Sequence, residues 1–182
     1  MCQPANGPGP LQARTRWGQQ NRQVDIIRNN LVADVTFKPA QLSDVDTLVA
    51  LMREYYEFDR LPFDAQIARQ TLTTLIQDDA LGYMWLIQVG AQAVGYVVLT
   101  LDYSLEYRGR GAYVDELYLQ EAFRGQGIGA QALGFVEEVA RSLGLHALHL
   151  EVDRHNTRAQ AVYRKAGFED HDRYLMTKWL NA

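Results

Sequence analysis

The run Phe123-Arg124-Gly125-Gln126-Gly127-Ile128-Gly129-Ala130 stands between two stretches of different period. Ahead of it, Tyr113-Val114-Asp115-Glu116-Leu117-Tyr118-Leu119 is strand-like; behind it, Ile128 to Leu143 carries apolar residues at helical spacing. Alternating glycines after an arginine let successive main-chain N–H groups turn toward one point at a helix start. Unpaired amides and the helix dipole both favour an anion there, so the run reads as a phosphate cradle. The expected ligand is a small molecule bearing a pyrophosphate.

Working outward, Val35-Thr36-Phe37-Lys38 alternates as a short strand that Pro39 ends. Ser43 with Asp46 resembles a capping box before Val45, Leu48, Val49, Met52 and Tyr55/Tyr56 at helical spacing. Pro62 suits the first turn of a second helix that carries Ile67, Thr71, Leu75 and Ile76 on one side. Tyr83–Val89 and Val94–Leu101 read as a hairpin, and 102–111 as a polar loop. After the cradle come a helix at 128–143, a strand at 147–153, a helix from about Thr157 to Ala166 capped by Gly167, and a last strand at Tyr174–Trp179. The order β-α-α-β-β-β-α-β-α-β predicts an α/β (mixed α+β) fold. Its central sheet is mixed, antiparallel early and parallel across the crossover, with helices on both faces. Residues 1–33, rich in Pro, Gly, Gln and Asn, read as a flexible N-terminal extension in which Val24–Leu31 is a candidate short helix; residues 34–182 form the domain.

Composition narrows the function. The chain has 182 residues, a formal net charge of −4, 47% hydrophobic and 22% charged residues, which suits one soluble domain and offers no basic field for nucleic acid. Cys2 is the single cysteine, so no disulfide or thiolate metal site forms within the chain, and the four histidines lack ligand-pair spacing; no metal is expected. No apolar run is long enough to span a bilayer and no apolar segment follows Arg14 and Arg16, so the expected compartment is the cytoplasm.

Gly125-x-Gly127-x-x-Ala130 also satisfies the dinucleotide fingerprint, with Glu151 late in the next strand. Two features oppose that reading: Asp115 and Glu116 interrupt the preceding strand, which in a dinucleotide fold is nearly continuous and apolar, and the motif does not open its domain. A third possibility is that the glycines serve only a tight turn.

The fuller pattern is Arg124-x-x-Gly127-x-Gly129, preceded by Asp115-Glu116-Leu117-Tyr118-Leu119 and followed by Asn156-x-x-Ala159-x-x-x-Tyr163-x-Lys165-x-Gly167-Phe168. From Asp34 to the C-terminus the chain resembles the GNAT superfamily of N-acetyltransferases. The resemblance implies a GNAT-like fold with a splayed parallel strand pair, and acetyl-CoA as co-substrate. It implies that Arg124, Gly125, Gln126, Gly127, Ile128, Gly129 and Ala130 hold the pyrophosphate. Leu117, Tyr118 and Leu119 then lend backbone groups to the pantetheine arm, while Asn156 and Ala159 line the coenzyme.

Acetyl transfer to an amine needs a base for the ammonium, a donor for the developing oxyanion and an acid for the leaving thiolate. The resemblance makes Tyr163 the acid; the alternative is that it only packs its helix face. Asp115 and Glu116 compete as base. Alternation along a strand predicts that only one faces a given side, with Glu116 sharing a face with Val114 and Tyr118. Asp115 matches the acidic residue that contacts amines in diamine acetyltransferase-like members and is slightly favoured. A solvated carboxylate is the alternative for either. In the family the first two helices wall the acceptor side, which makes Tyr55, Phe58 and their neighbouring carboxylates candidates for holding an amine, with Glu151 and His149 on the neighbouring strand; the alternative is that Tyr55 and Phe58 are core and Glu57 and Asp59 solvated. Cys2 lacks a nearby base, so direct transfer in a ternary complex is expected rather than a covalent acetyl-enzyme. The acceptor is a small primary amine or a peptide; the rival class is a non-catalytic acyl-CoA-binding module. A homodimer is compatible with all of this, and no membrane or nucleic-acid partner is expected.

Overall fold

Apolar residues at i, i+3 and i+4 give the first helix a face to bury, and alternating strands give it a sheet to bury against. The computed structural model describes residues 34–180, so the expected extension over 1–33, with Cys2 and the candidate helix Val24–Leu31, lies outside the described residues. The elements are β1 (Val35–Pro39), α1 (Val45–Asp59), α2 (Ala65–Gln77), β2 (Gly82–Val89), β3 (Gln92–Ser104), β4 (Gly109–Leu119), α3 (Ile128–Ser142), β5 (Ala147–His149) and α4 (Thr157–Lys165). Short 3-10 turns at Leu42–Asp44 and Glu121–Phe123 lead into α1 and into the glycine run.

The five strands lie in the order β1-β2-β3-β4-β5, antiparallel up to β4 and parallel between β4 and β5. This is the mixed, mostly antiparallel sheet expected from the element order. One face packs on α1 and α2: Val45, Leu48, Val49, Leu51, Ala68 and Leu72 meet Met84, Leu86, Tyr96, Val98 and Tyr118. The other packs on α3, where Ile128 and Ala132 meet Ile87 and Val94, with Leu117, Leu119 and Phe123 at the margin. The Phe135 ring of α3 stacks on Phe37 and meets Trp85 edge-on, at 4.5 and 5.2 Å between centroids.

Several boundaries differ from the sequence expectation. The chain enters α1 through Asp44, which accepts the Gln41 amide at 2.9 Å and pairs with Lys38 at 2.7 Å, in place of the Ser43–Asp46 box. Pro62 precedes α2; the cap is Asp64, whose carboxylate accepts the Gln66 and Ile67 amides at 2.8 and 3.0 Å, an arrangement that contributes about 1 kcal/mol. The polar 102–111 stretch is mostly strand, because β3 and β4 continue pairing from Asp102↔Gly111 to Ser104↔Gly109. Gly167 does close α4, with the Gly167 amide on Arg164 and the Phe168 amide on Tyr163.

The expected final strand at Tyr174–Trp179 does not form. β5 is only three residues long and offers little edge to pair with. The preceding residues are instead drawn to the β3–β4 hairpin tip: Arg173 pairs with Glu106 at 2.6 Å, and Arg154 lies 5.2 Å over the Tyr174 ring.

Candidate active site

β5 pairs with β4 only through Gly111–Tyr113 against Ala147–His149. Beyond Tyr113, β4 has no strand on that side, because the chain leaves strand geometry after His149 and not at the expected residue 153. The two strands therefore part, and β4 from Val114 to Tyr118 borders an open wedge with main-chain groups available to an extended, amide-bearing ligand.

β4 leads straight to the glycine run. The Phe123 and Arg124 amides are spent on the Gln120 and Glu121 carbonyls at 2.9 and 3.1 Å. From Gly125 to Ala130, by contrast, no main-chain amide donates to another described group. Ile128, Gly129 and Ala130 form the first turn of α3, where amides have no intrahelical acceptor. Gly125 and Gly127 hold φ of 79° and 82°, a left-handed conformation that side-chain-bearing residues rarely adopt and that keeps these N–H groups turned outward. The Gln126 side chain braces the turn by donating to the Ala122 carbonyl at 2.9 Å. The donor set suits a diphosphate.

Arg124 is engaged elsewhere. Its Nε donates to the Leu119 carbonyl at 2.7 Å, and its guanidinium lies 4.1 Å over the Phe58 ring and 5.4 Å from that of Tyr118. The Phe58 ring that was expected to meet an acceptor amine is thus already paired with a cation of this chain. Asn156 caps α4, its Oδ1 accepting the Ala159 amide at 3.0 Å. Arg158, which sequence reasoning passed over, reaches back to the glycine run: a β-carbon built on Gly125 would meet its terminal nitrogen at 2.8 Å.

The two carboxylates depart from strand alternation. The β3–β4 register runs Val98↔Glu116 and then Leu99↔Val114, leaving Asp115 as the extra residue of a bulge. Glu116 and Tyr118 pair with Val98 and Tyr96 on the face covered by α1 and α2, whereas Val114 pairs with Leu99 and turns to the opposite face. The expectation that Val114 shares a face with Glu116 fails for this reason. The bulge takes Asp115 out of regular alternation, and its charge pushes the Glu116 carboxyl and the Tyr56 phenol upward.

Glu116 is pinned by two phenols, Tyr56 donating to Oε1 at 3.0 Å and Tyr96 to Oε2 at 2.7 Å. Burial pushes its carboxyl above the ordinary range, the two tyrosine hydrogen bonds pull partly back, and Asp115 adds a further push upward. Asp115 is exposed and makes no hydrogen bond among the described residues, and partial desolvation raises its carboxyl. Burial, then Glu116, holds the Tyr56 and Tyr96 phenols protonated far above neutral pH.

Tyr163 of α4 packs edge-on against Phe168 at 6.1 Å between centroids, and its hydroxyl has no hydrogen-bond partner among the described residues. Burial, followed by the charge of Asp59 at the end of α1, keeps this phenol protonated. Tyr55 is less a wall of the site than part of the core, with its ring 5.7 Å from that of Tyr118. Glu151 is exposed beyond the end of β5. His149 lies between Tyr107 and Tyr113, at 4.3 and 5.1 Å between centroids, with its Nε2 buried. A cavity of about 370 Å³ opens between α1 and α2, lined by Met52, Tyr56, Pro62, Phe63, Asp64, Ile67, Ala68 and Thr71. Tyr56 belongs both to this cavity and to the Glu116 site. No signal in the sequence singled it out over Tyr55, because both fall within one helical face.

Among the described residues no group of His, Cys, Asp and Glu is arranged to hold a metal ion, and no helix is long and apolar enough to cross a membrane. The profile of the acetyltransferase (GNAT) family matches residues 46–168. The chain is 29% identical over 148 residues to the thialysine N-epsilon-acetyltransferase of Bos taurus, covering 76% of this chain and 86% of that protein. An integron cassette protein from the mobile metagenome of Cole Harbour salt marsh is 36% identical and superposes with a TM-score of 0.72 over 80% of this chain and 91% of its own. A predicted acetyltransferase with acetyl-CoA from Clostridium acetobutylicum shares the fold at 18% identity, with a TM-score of 0.68 over 79% of this chain and 96% of its own.

Proposed function

Because the chain belongs to the acetyltransferase (GNAT) family and is an acetyl-CoA-dependent N-acetyltransferase, we propose that it moves the acetyl group directly to a primary amine of a small acceptor within a ternary complex. The observation that carries this reading is the run of unspent amides from Gly125 to Ala130 at the head of α3, opening beside the wedge between β4 and β5. Acetyl-CoA supplies a thioester activated for attack by an amine.

The residues of this chain divide the remaining work. Glu116, held by Tyr56 and Tyr96, is a fixed negative charge on the acceptor face and attracts the ammonium form of the amine. The bound ammonium gives one proton to Asp115, which has no hydrogen bond to occupy it, and the freed amine attacks; the second proton leaves the nitrogen for solvent once the N–C bond has formed. Tyr163 gives its phenolic proton to the sulfur as the C–S bond breaks, and proton exchange with solvent resets both groups. The cavity between α1 and α2, mostly apolar and lined in part by Tyr56, accommodates the body of the acceptor.

A thiol-release assay over a panel of primary amines tests the whole. We expect CoA release that depends on the amine and saturates with it. Acetyl-CoA binding without turnover on any amine would instead favour a non-catalytic acyl-CoA-binding module.

A further inference from the structure

We propose that the cation of the diphosphate site is Arg158, reaching in from α4, and that Arg124 of the glycine run is a packing residue whose charge does not serve the ligand. This rests on the reading that acetyl-CoA occupies the cradle.

Position in the sequence favours Arg124, because it lies inside the motif, but the structure commits it elsewhere. Its Nε is bonded to the Leu119 carbonyl and its plane covers Phe58. Swinging that guanidinium into the cradle would strip the carbonyl of its partner and uncover an aromatic ring that is already 60% exposed. Arg158 has the opposite character. It is exposed, it makes no hydrogen bond or ion pair among the described residues, and its terminal nitrogen hangs over Gly125.

The placement follows from α4. Asn156 caps the helix through the Ala159 amide, which sets the first turn rigidly and aims the second helical position, residue 158, at the glycine run. With no side chain at Gly125, that guanidinium rests directly against the turn, 2.8 Å from where a β-carbon would stand. A planar guanidinium facing a row of outward amides closes a phosphate from two sides, and its fork geometry matches two phosphate oxygens at once. Coenzyme A also carries a phosphate on its ribose, and the same chemistry would bind it. The position over Gly125 favours the diphosphate.

Titration calorimetry on the full chain with CoA and with 3′-dephospho-CoA separates these cases. Arg158→Gln is expected to weaken both ligands by about tenfold or more, the loss of a charge-assisted pair, and to flatten the salt dependence of binding. Arg158→Lys is expected to recover only part of the affinity, since the point charge returns without the fork. Arg124→Gln is expected to lower the melting temperature while the folded variant binds CoA more tightly than Arg158→Gln does. Thermal unfolding of Arg158→Gln should match the wild type, because the side chain has no protein partner to lose. The proposal is overturned if folded Arg158→Gln binds CoA as tightly as the wild type, or if its defect appears with CoA and vanishes with 3′-dephospho-CoA. A wild-type chain that binds neither ligand would sink the acetyl-CoA reading itself, a result distinguishable from both.

Discussion

Asp115 and Glu116 are neighbours in β4, and Asp115 is the extra residue where the register slips from Val98↔Glu116 to Leu99↔Val114. Glu116 lies on the face that α1 and α2 cover, while the bulge takes Asp115 out of regular alternation. The bulge places a pinned carboxylate beside a free one, and the two environments call for different roles.

That difference is measurable as a split in kinetics. Asp115→Asn should lower kcat by roughly 10²- to 10⁴-fold with little change in the acceptor KM, the signature of a lost proton acceptor. Glu116→Gln should act chiefly on the acceptor KM. Because partial desolvation raises the Asp115 carboxyl, the acidic limb of the wild-type rate profile should rise with pH at values above the ordinary aspartate range, and Asp115→Asn should abolish that limb. The reverse pattern in the two variants would exchange the roles.

Glu116 also carries a stability prediction. Its carboxyl is raised in the folded chain, so its contribution to stability is fully present below the unfolded carboxylate range and declines as pH climbs through the raised value. Gln cannot ionise and still pairs with Tyr56 and Tyr96 through its amide. Melting temperatures of Glu116→Gln and wild type should therefore diverge in favour of the variant as pH rises from about 4 toward 7. A gap that is constant or that closes over this interval would show that the tyrosine hydrogen bonds outweigh the burial of charge.

Tyr163 is held protonated by burial and by Asp59, and its hydroxyl has no described partner. Tyr163→Phe keeps the ring against Phe168 and removes only the proton. Turnover should fall by roughly 10²-fold or more while CoA affinity and melting temperature stay near wild type. Unchanged turnover would reduce Tyr163 to a packing residue of α4.

The parts of this molecule written in local pattern were legible in its sequence. The hairpin β2–β3, the glycine run and the Gly167 cap each depend on residues within a few positions of one another, and each stands where periodicity and turn chemistry put it. What escaped depends on partners far along the chain. The bulge at Asp115 is set by its register against β3, and Tyr96 reaches Glu116 across twenty residues. Arg173 meets Glu106 across sixty-seven and takes the chain away from β5, so the apolar alternation at Tyr174–Trp179 finds no strand to join. Arg124 illustrates the limit most clearly: its place in the motif is readable, but the direction of its side chain is decided by Phe58 and Leu119.

Gly127 tests the cradle itself. It holds φ at 82° as the cap of α3, and a β-carbon there would meet nothing within 4 Å. Gly127→Ala therefore adds backbone strain without collision, and should cost about 1 kcal/mol of stability while leaving CoA binding measurable. Gly127→Asp brings the same strain and a negative charge at the point where the amides converge. It should lose CoA binding far beyond the alanine variant, and raising the salt concentration should restore part of the difference, because the opposing charges are solvent-accessible and screened. If the two variants bind alike, the anion does not sit at the amides between Gly125 and Ala130, and the site must be sought elsewhere along the wedge.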